Sequence, residues 1–253
     1  MAFLLGKKPH VPGAVSWHYR DIFDRKKLMK PPLVFGHIWN ATPVPMLGND
    51  RAGNCVWCTQ AHILQAMQRG IGKKETVFSD DSVFADYSAV TGFALGDPST
   101  DQGTGMADGA SYWRKTGIHD ASGKAHPISA YVSLRLHDID ELMQAAFDFG
   151  GVALGVQLPK SAEEQWDHEE PWHYWGRKSS ILGGHAVALL GRNHNGDAVI
   201  ATWNGITAAS TEWIVQYMDE ALAFFSLEYL DERGINPRGF DRAELEKRIG
   251  ALA

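Results

Sequence analysis

Two segments far apart in the sequence carry residue types suited to thiol chemistry. One is Gly48-Asn49-Asp50-Arg51-Ala52-Gly53-Asn54-Cys55-Val56-Trp57-Cys58, which places Cys55 just after a polar, glycine-containing turn where a helical pattern begins. The other is Gly183-Gly184-His185-Ala186-Val187, which places His185 at the start of an apolar strand. A thiol nucleophile needs a base that is near in space, not in sequence. The free N–H groups and dipole of a helix start favour the thiolate. Gly183 and Gly184 carry no side chain to block an approaching substrate backbone, so they count as substrate-binding candidates.

Neighbouring residues admit other chemistries. Cys55 and Cys58 form a Cys-X-X-Cys pair, the spacing of dithiol redox sites. A polar loop precedes it, however, where such a site expects a strand. Cys55, Cys58 and His62 offer three zinc-ligand types, but their spacing is not a common one and there is no second cysteine pair. Neither a metal nor a cofactor is therefore expected. Asp101-Gln102-Gly103-Thr104 either lines a cleft, with Asp101 touching substrate, or is a capped turn feeding the next helix. The run from Trp166 to Trp175 contains three tryptophans, and a single exposed one is expected.

These residues need a frame to hold them. The chain has 253 residues, enough for a substantial core, and its 44% hydrophobic and 21% charged content is that of a globular protein. Net charge is −6 with the basic residues scattered, which argues against a nucleic-acid-binding face. No apolar run approaches the length of a membrane span. The opening Met1–Pro9 stretch has too short an apolar core for a secretory signal, so cytoplasmic synthesis is expected, with a virion-associated destination kept open.

Six of the eleven prolines fall within residues 1–48, which reads as an extended arm with a short helix at 20–28. Helical patterns follow at about 55–69, 79–92 and 105–116. The pattern then changes to a strand at 128–136, a helix at 138–149, and strands at 151–158, 181–191 and 198–203. A helix at 211–220, a strand at 222–230 and a last helix at 241–249 complete the chain. Helices first and strands later imply an α+β fold with a helical lobe of about 49–120 and a β lobe of about 125–235, ending in a helix at about 241–250.

With the cysteine opening the first long helix and Gly-Gly-His-Ala-Val on a later strand, the chain resembles papain-like cysteine peptidases. Among them it is similar to bacteriocin leader peptidases, which carry a polar residue before the cysteine (here Asn54), and to uncharacterised papain-like proteins of bacteria and phages. The resemblance spans roughly residues 46–230. It implies a two-lobed papain-like fold, Cys55 as nucleophile, His185 as base and Asn49, six residues before the cysteine, as oxyanion donor. Trp203 matches the family's strand-end tryptophan beside the cleft. That match puts Ala201 where an asparagine should orient the histidine, so Asn204 is the nearest substitute. The activity implied is thiol-dependent hydrolysis of an amide bond in a peptide or peptidoglycan-like substrate. The alternative is a non-catalytic structural or interaction module, phage- or secretion-associated. Catalysis implies an open groove ending at Cys55; the alternative implies a groove filled by the chain's own residues.

Overall fold

The structure, a computed structural model, describes residues 4–36 and 43–250. Residues 1–3 and 37–42 of the proline-rich arm, and 251–253 after the last helix, lie outside the described residues. The elements run α1 (Tyr19–Ile22), α2 (Cys55–Gly70), α3 (Asp80–Thr91), α4 (Met106–Lys115), β1 (Ile118–His119), β2 (Ala125–His126), β3 (Ala130–Ser133) and α5 (Ile139–Phe149). They continue with β4 (Val152–Pro159), α6 (Lys160–Asp167), β5 (Ile181–Arg192), β6 (Ala198–Thr202), β7 (Gly205–Ala209), α7 (Thr211–Tyr217), β8 (Met218–Phe225) and α8 (Arg242–Gly250).

Six strands form one antiparallel sheet in the order β3-β8-β4-β5-β6-β7. Side chains alternate across it as strand geometry requires. Val187 and Leu189 of β5 join Val152, Leu154 and Ile200 in a core with α5 and α7. Ala186, Ala188 and Leu190 face the other way, with Ala153, Ala201 and Leu222, into a core shared with α2. The alanines on that face are small, so α2 lies close against β5. The mixed α+β architecture inferred from the sequence is the one observed.

Capping explains several boundaries. Ser79 accepts from Ser82 N–H to start α3, and Asp138 accepts from Glu141 N–H to start α5. Several features depart from the sequence reading, among them the short β1–β2 hairpin and a β8 that starts and ends earlier than 222–230. The helix expected at 211–220 ends at Tyr217, and Asp219 and Glu220 belong to β8 instead. Acidic residues are poor strand formers, but tertiary contacts override that preference here, because both carboxylates face the Lys7 ammonium. The segment around the tryptophans contains the unanticipated helix α6, and β7 was also unforeseen. Trp172 is buried and stacks on Trp213 with ring centroids 4.6 Å apart, whereas Trp175 is 73% exposed.

The arm lies along the β lobe. Tyr19 and Phe23 enter an aromatic cluster in which Phe23 meets Tyr19, Phe149, Phe225 and Phe240 at centroid distances of 5.0 to 5.9 Å. Arg248 of α8 lies 5.1 Å from the same ring. Phe35 exchanges backbone hydrogen bonds with Arg192 at 2.9 and 3.1 Å. Phe23→Ala should therefore cost ~3–5 kcal/mol of stability, the usual range for truncating a buried phenylalanine. Urea unfolding monitored by circular dichroism measures it, and a loss under ~1 kcal/mol would mean that the arm contributes no core.

Candidate functional site

The turn before α2 is held by side chains. Asn54 does not cap the helix; its Nδ2 donates to Leu47 O at 2.8 Å. Asp101 accepts from Gly53 N–H at 2.9 Å and from the Tyr87 hydroxyl at 2.5 Å. Asp101 is thus committed to bracing this turn rather than to substrate. With no side chain capping the helix, the Val56 N–H is left to hydrogen-bond the Cys55 sulfur.

Cys55 is buried at the N-terminus of α2. Its thiol also faces the N–H groups of Ala186, the residue after His185, and of Gly6. Burial pushes the thiol pKa up, and the three N–H groups and the Lys7 charge pull against that rise. Cys58, one turn inside the helix, has its sulfur 3.6 Å from Leu47 O and 3.7 Å from Met46 O. Burial and the neighbouring Cys55 push its pKa well up. Both thiols are free, so the Cys-X-X-Cys pair is not bridged.

His185 lies at the mouth of β5, fully buried. Its Nε2 lies 2.8 Å from Thr202 Oγ1, and its ring stacks on Trp203 with centroids 5.1 Å apart and planes 22° apart. Nδ1 is buried and has no hydrogen-bond partner among the described residues. Burial lowers the imidazole pKa to about 3, so the ring is neutral at ordinary pH.

Asn204 does not reach the third position. It is exposed in the two-residue turn between β6 and β7, beside Trp203 at φ 45°. Ala201 points into the α2 core. Strand register explains why Thr202 takes the place. Ala201 pairs with Ala188, so Thr202 lies beside Val187 on the face that His185 shares two residues away. The alternation and the adjacency of these two strands are visible in the sequence; the register of their pairing is not.

The groove over Cys55 is filled by residues 4–8 of the same chain. Lys7 N–H donates to Gly184 O at 3.1 Å. On the opposite wall, Thr104 N–H donates to Gly6 O at 2.7 Å and Lys8 N–H donates to Thr104 O at 3.0 Å. Asn49 Nδ2 donates to Leu4 O and to Ala52 O, both at 3.0 Å. Closeness requires glycine. A Cβ on Gly6 would stand 1.7 Å from Gly53 O, and one on Gly184 would stand 2.2 Å from Lys7 O. Gly183 meets the Leu5 side chain. Gly184 thus admits a backbone, here the chain's own, while Gly183 leaves room for a side chain.

This strap presents an N–H, that of Gly6, to the sulfur. The Gly6 carbonyl accepts from Thr104 N–H.

His62 stands apart from this chemistry, its Nε2–H donating to Pro45 O at 2.9 Å. Among the described residues, no group of histidines, cysteines and carboxylates is placed to hold a metal ion. No described helix is long and apolar enough to cross a membrane. Burial lowers the His62 pKa to about 4, outweighing the bond to Pro45. The unfolded chain takes up this proton as pH falls below about 6.5, and the folded chain does not until about 4. Stability is thus lost as pH falls through that window and is unaffected above it. His62→Gln should gain on the parent by ~2 kcal/mol between pH 7 and pH 4.5 in urea unfolding. A constant difference across that range would mean that the imidazole is not held neutral.

No family model matches the chain, and no curated protein matches it in sequence. Solved structures do match in fold. Xylellain, a cysteine protease from Xylella fastidiosa, superposes with a TM-score of 0.64 at 15% identity, covering 88% of this chain and 96% of that one. The proform of cathepsin B S9 from Trypanosoma congolense gives 0.58 at 14%, covering 88% and 86%. The Carica candamarcensis cysteine protease CMS1MS2, in complex with E-64, gives 0.58 at 12%, covering 78% and 99%. The fold is that of papain-like cysteine proteases.

Proposed function

We propose that this papain-like fold is a thiol-dependent hydrolase of amide bonds, with Cys55 as nucleophile and His185 as base, described here with its groove closed. The observation that supports the reading is a thiol at a helix N-terminus that meets the amide of Ala186, the residue next to a histidine whose Nε2 is occupied by Thr202 and whose Nδ1 is unengaged among the described residues. When Nε2–H donates to Thr202 Oγ1, the Nδ1 lone pair is the one available for the thiol proton. Cys55 then attacks the carbonyl carbon, its N–H and Asn49 Nδ2 hold the oxyanion, and the imidazolium returns the proton to the leaving amine. Thr202 orients the ring as an asparagine would, with one hydroxyl in place of an amide. A peptide or peptidoglycan cross-link satisfies this chemistry equally.

The closed groove suits a resting state. Burial raises the thiol pKa and lowers that of the imidazole, and both shifts oppose proton transfer. Displacing residues 4–8 brings water to the pair and frees Asn49 from Leu4 O.

A second reading has its own observation. A groove filled by the chain's own backbone is what a non-catalytic interaction module, phage- or secretion-associated, would show.

Assay of the full chain and of Lys7→Ala against fluorogenic peptides and peptidoglycan fragments separates the two. The hydrolase reading expects turnover that falls at least ~10³-fold in Cys55→Ala and in His185→Ala, and ~10-fold in Thr202→Val, whose loss removes orientation alone. Turnover unchanged in Cys55→Ala would end this reading. Complete inactivity of both parent and Lys7→Ala would favour the interaction module.

A further inference from the structure

The backbone bonds that hold the strap would accept any extended chain, because they use N–H and C=O groups common to all residues. One side chain is treated differently. Lys7 turns into a pocket beneath the groove, where its side chain is fully buried. Its Nζ is 2.9 Å from Asp219 Oδ1, 3.0 Å from Asp219 Oδ2 and 4.0 Å from Glu220 Oε2, and it donates to Lys8 O at 3.1 Å. Gln157 Nε2 donates to the same Asp219 carboxylate and fixes it. A Cβ on Gly155 would lie 2.3 Å from Lys7 Cε and 2.7 Å from the Met106 sulfur. The pocket is therefore deep because Gly155 leaves room for the lysine stem, apolar along that stem, and acidic at its end.

A lysine buys little by being buried unless its charge is matched. Here two carboxylates from adjacent positions on β8 meet it, and Glu220 is also approached by His10 Nδ1 at 3.5 Å. With the lysine removed, Asp219 and Glu220 would be left in the pocket without their principal cation. This is the electrostatic form of a receptor for a long basic side chain.

We infer that the Asp219–Glu220 pocket is a specificity site, so that the groove takes polypeptide segments carrying lysine or arginine next to a residue with no side chain, with Lys7 as its occupant in cis. The small neighbour follows from Gly6, which cannot bear a Cβ against Gly53 O. This inference deepens the proposed hydrolase and rests on it for its meaning as a substrate preference. Binding at the pocket can be read without turnover.

The reporter is alkylation of Cys55 by iodoacetamide in the full chain, followed by tandem mass spectrometry, with circular dichroism confirming that each variant is folded. Lys7→Met keeps the length of the stem and removes the charge, so Cys55 labelling should accelerate about tenfold or more, while Lys7→Arg should stay near the parent rate. Asp219→Asn, which retains a polar acceptor, should also accelerate labelling and serves if Lys7→Met does not fold. The peptide acetyl-Leu-Leu-Gly-Lys-Lys-amide, added in trans to Lys7→Met, should restore protection, and its analogue with norleucine in place of the first lysine should not. Equal labelling of parent, Lys7→Met and Asp219→Asn would overturn the inference, as would equal protection by the two peptides. Selective protection in a chain that hydrolyses nothing would retain the pocket and remove the hydrolase.

Discussion

The start of α2 is anchored by side chains from three directions, and the rest of the site follows from where that anchor holds it. Asp101 grips Gly53 from the loop before α4, Asn54 reaches back to Leu47, and Asn49 closes on Ala52. A helix start left to its own backbone would have its first N–H groups covered by a capping side chain or by water. Here the capping position is occupied by an asparagine facing the other way, so a free N–H points at the sulfur. The alanines of β5 then allow the helix to approach until the Ala186 amide also meets the thiol.

That arrangement makes the groove narrow and rich in backbone. Gly53, Gly103 and Gly184 line the approach to Cys55, and each lacks the Cβ that would crowd the strap, whose own Gly6 has no Cβ to set against Gly53 O. Close contact of this kind selects for an extended chain over a compact ligand, because only a polypeptide can exchange N–H and C=O groups with both walls at once. The walls here are Thr104 on one side and Gly184 on the other, and residues 6–8 satisfy both. In this structure the chain's own residues 6–8 are the backbone that meets both walls.

Much of this was legible in the sequence. The helix start at Cys55, the strand that carries His185 and the change from helices to strands follow from periodicity and glycine placement, which are local properties. What was missed is non-local. Thr202 partners His185 because β5 pairs with β6 in one particular register, and no single strand carries its register in its own residues. Asp219 and Glu220 look helical in isolation and are strand residues because a lysine over two hundred positions earlier lies against them. Asp101 was noticed as a loop acid, but whether it faced the groove or braced the turn depended on Tyr87 and Gly53 arriving beside it. At Gly184 a backbone does come close, that of Lys7, and at Gly183 the Leu5 side chain does; the sequence has no means of saying which part of which chain arrives there.

The same burial that makes the site compact also sets its protonation. In the closed groove the imidazole is neutral, with its pKa lowered to about 3, and the thiol is raised above its ordinary value. A neutral pair is the cheaper state to bury, since an ion pair would have to recover two desolvation costs from one contact. The groups that favour the thiolate are the Val56, Ala186 and Gly6 amides and the Lys7 charge. Two of these belong to the strap and leave with it, while the Val56 and Ala186 amides remain. Opening the groove therefore removes some stabilisation of the thiolate but also removes part of the burial that dominates both shifts. Burial is the largest cause for each group, so the protonation of Cys55 and of His185 in this structure follows from how completely each is enclosed.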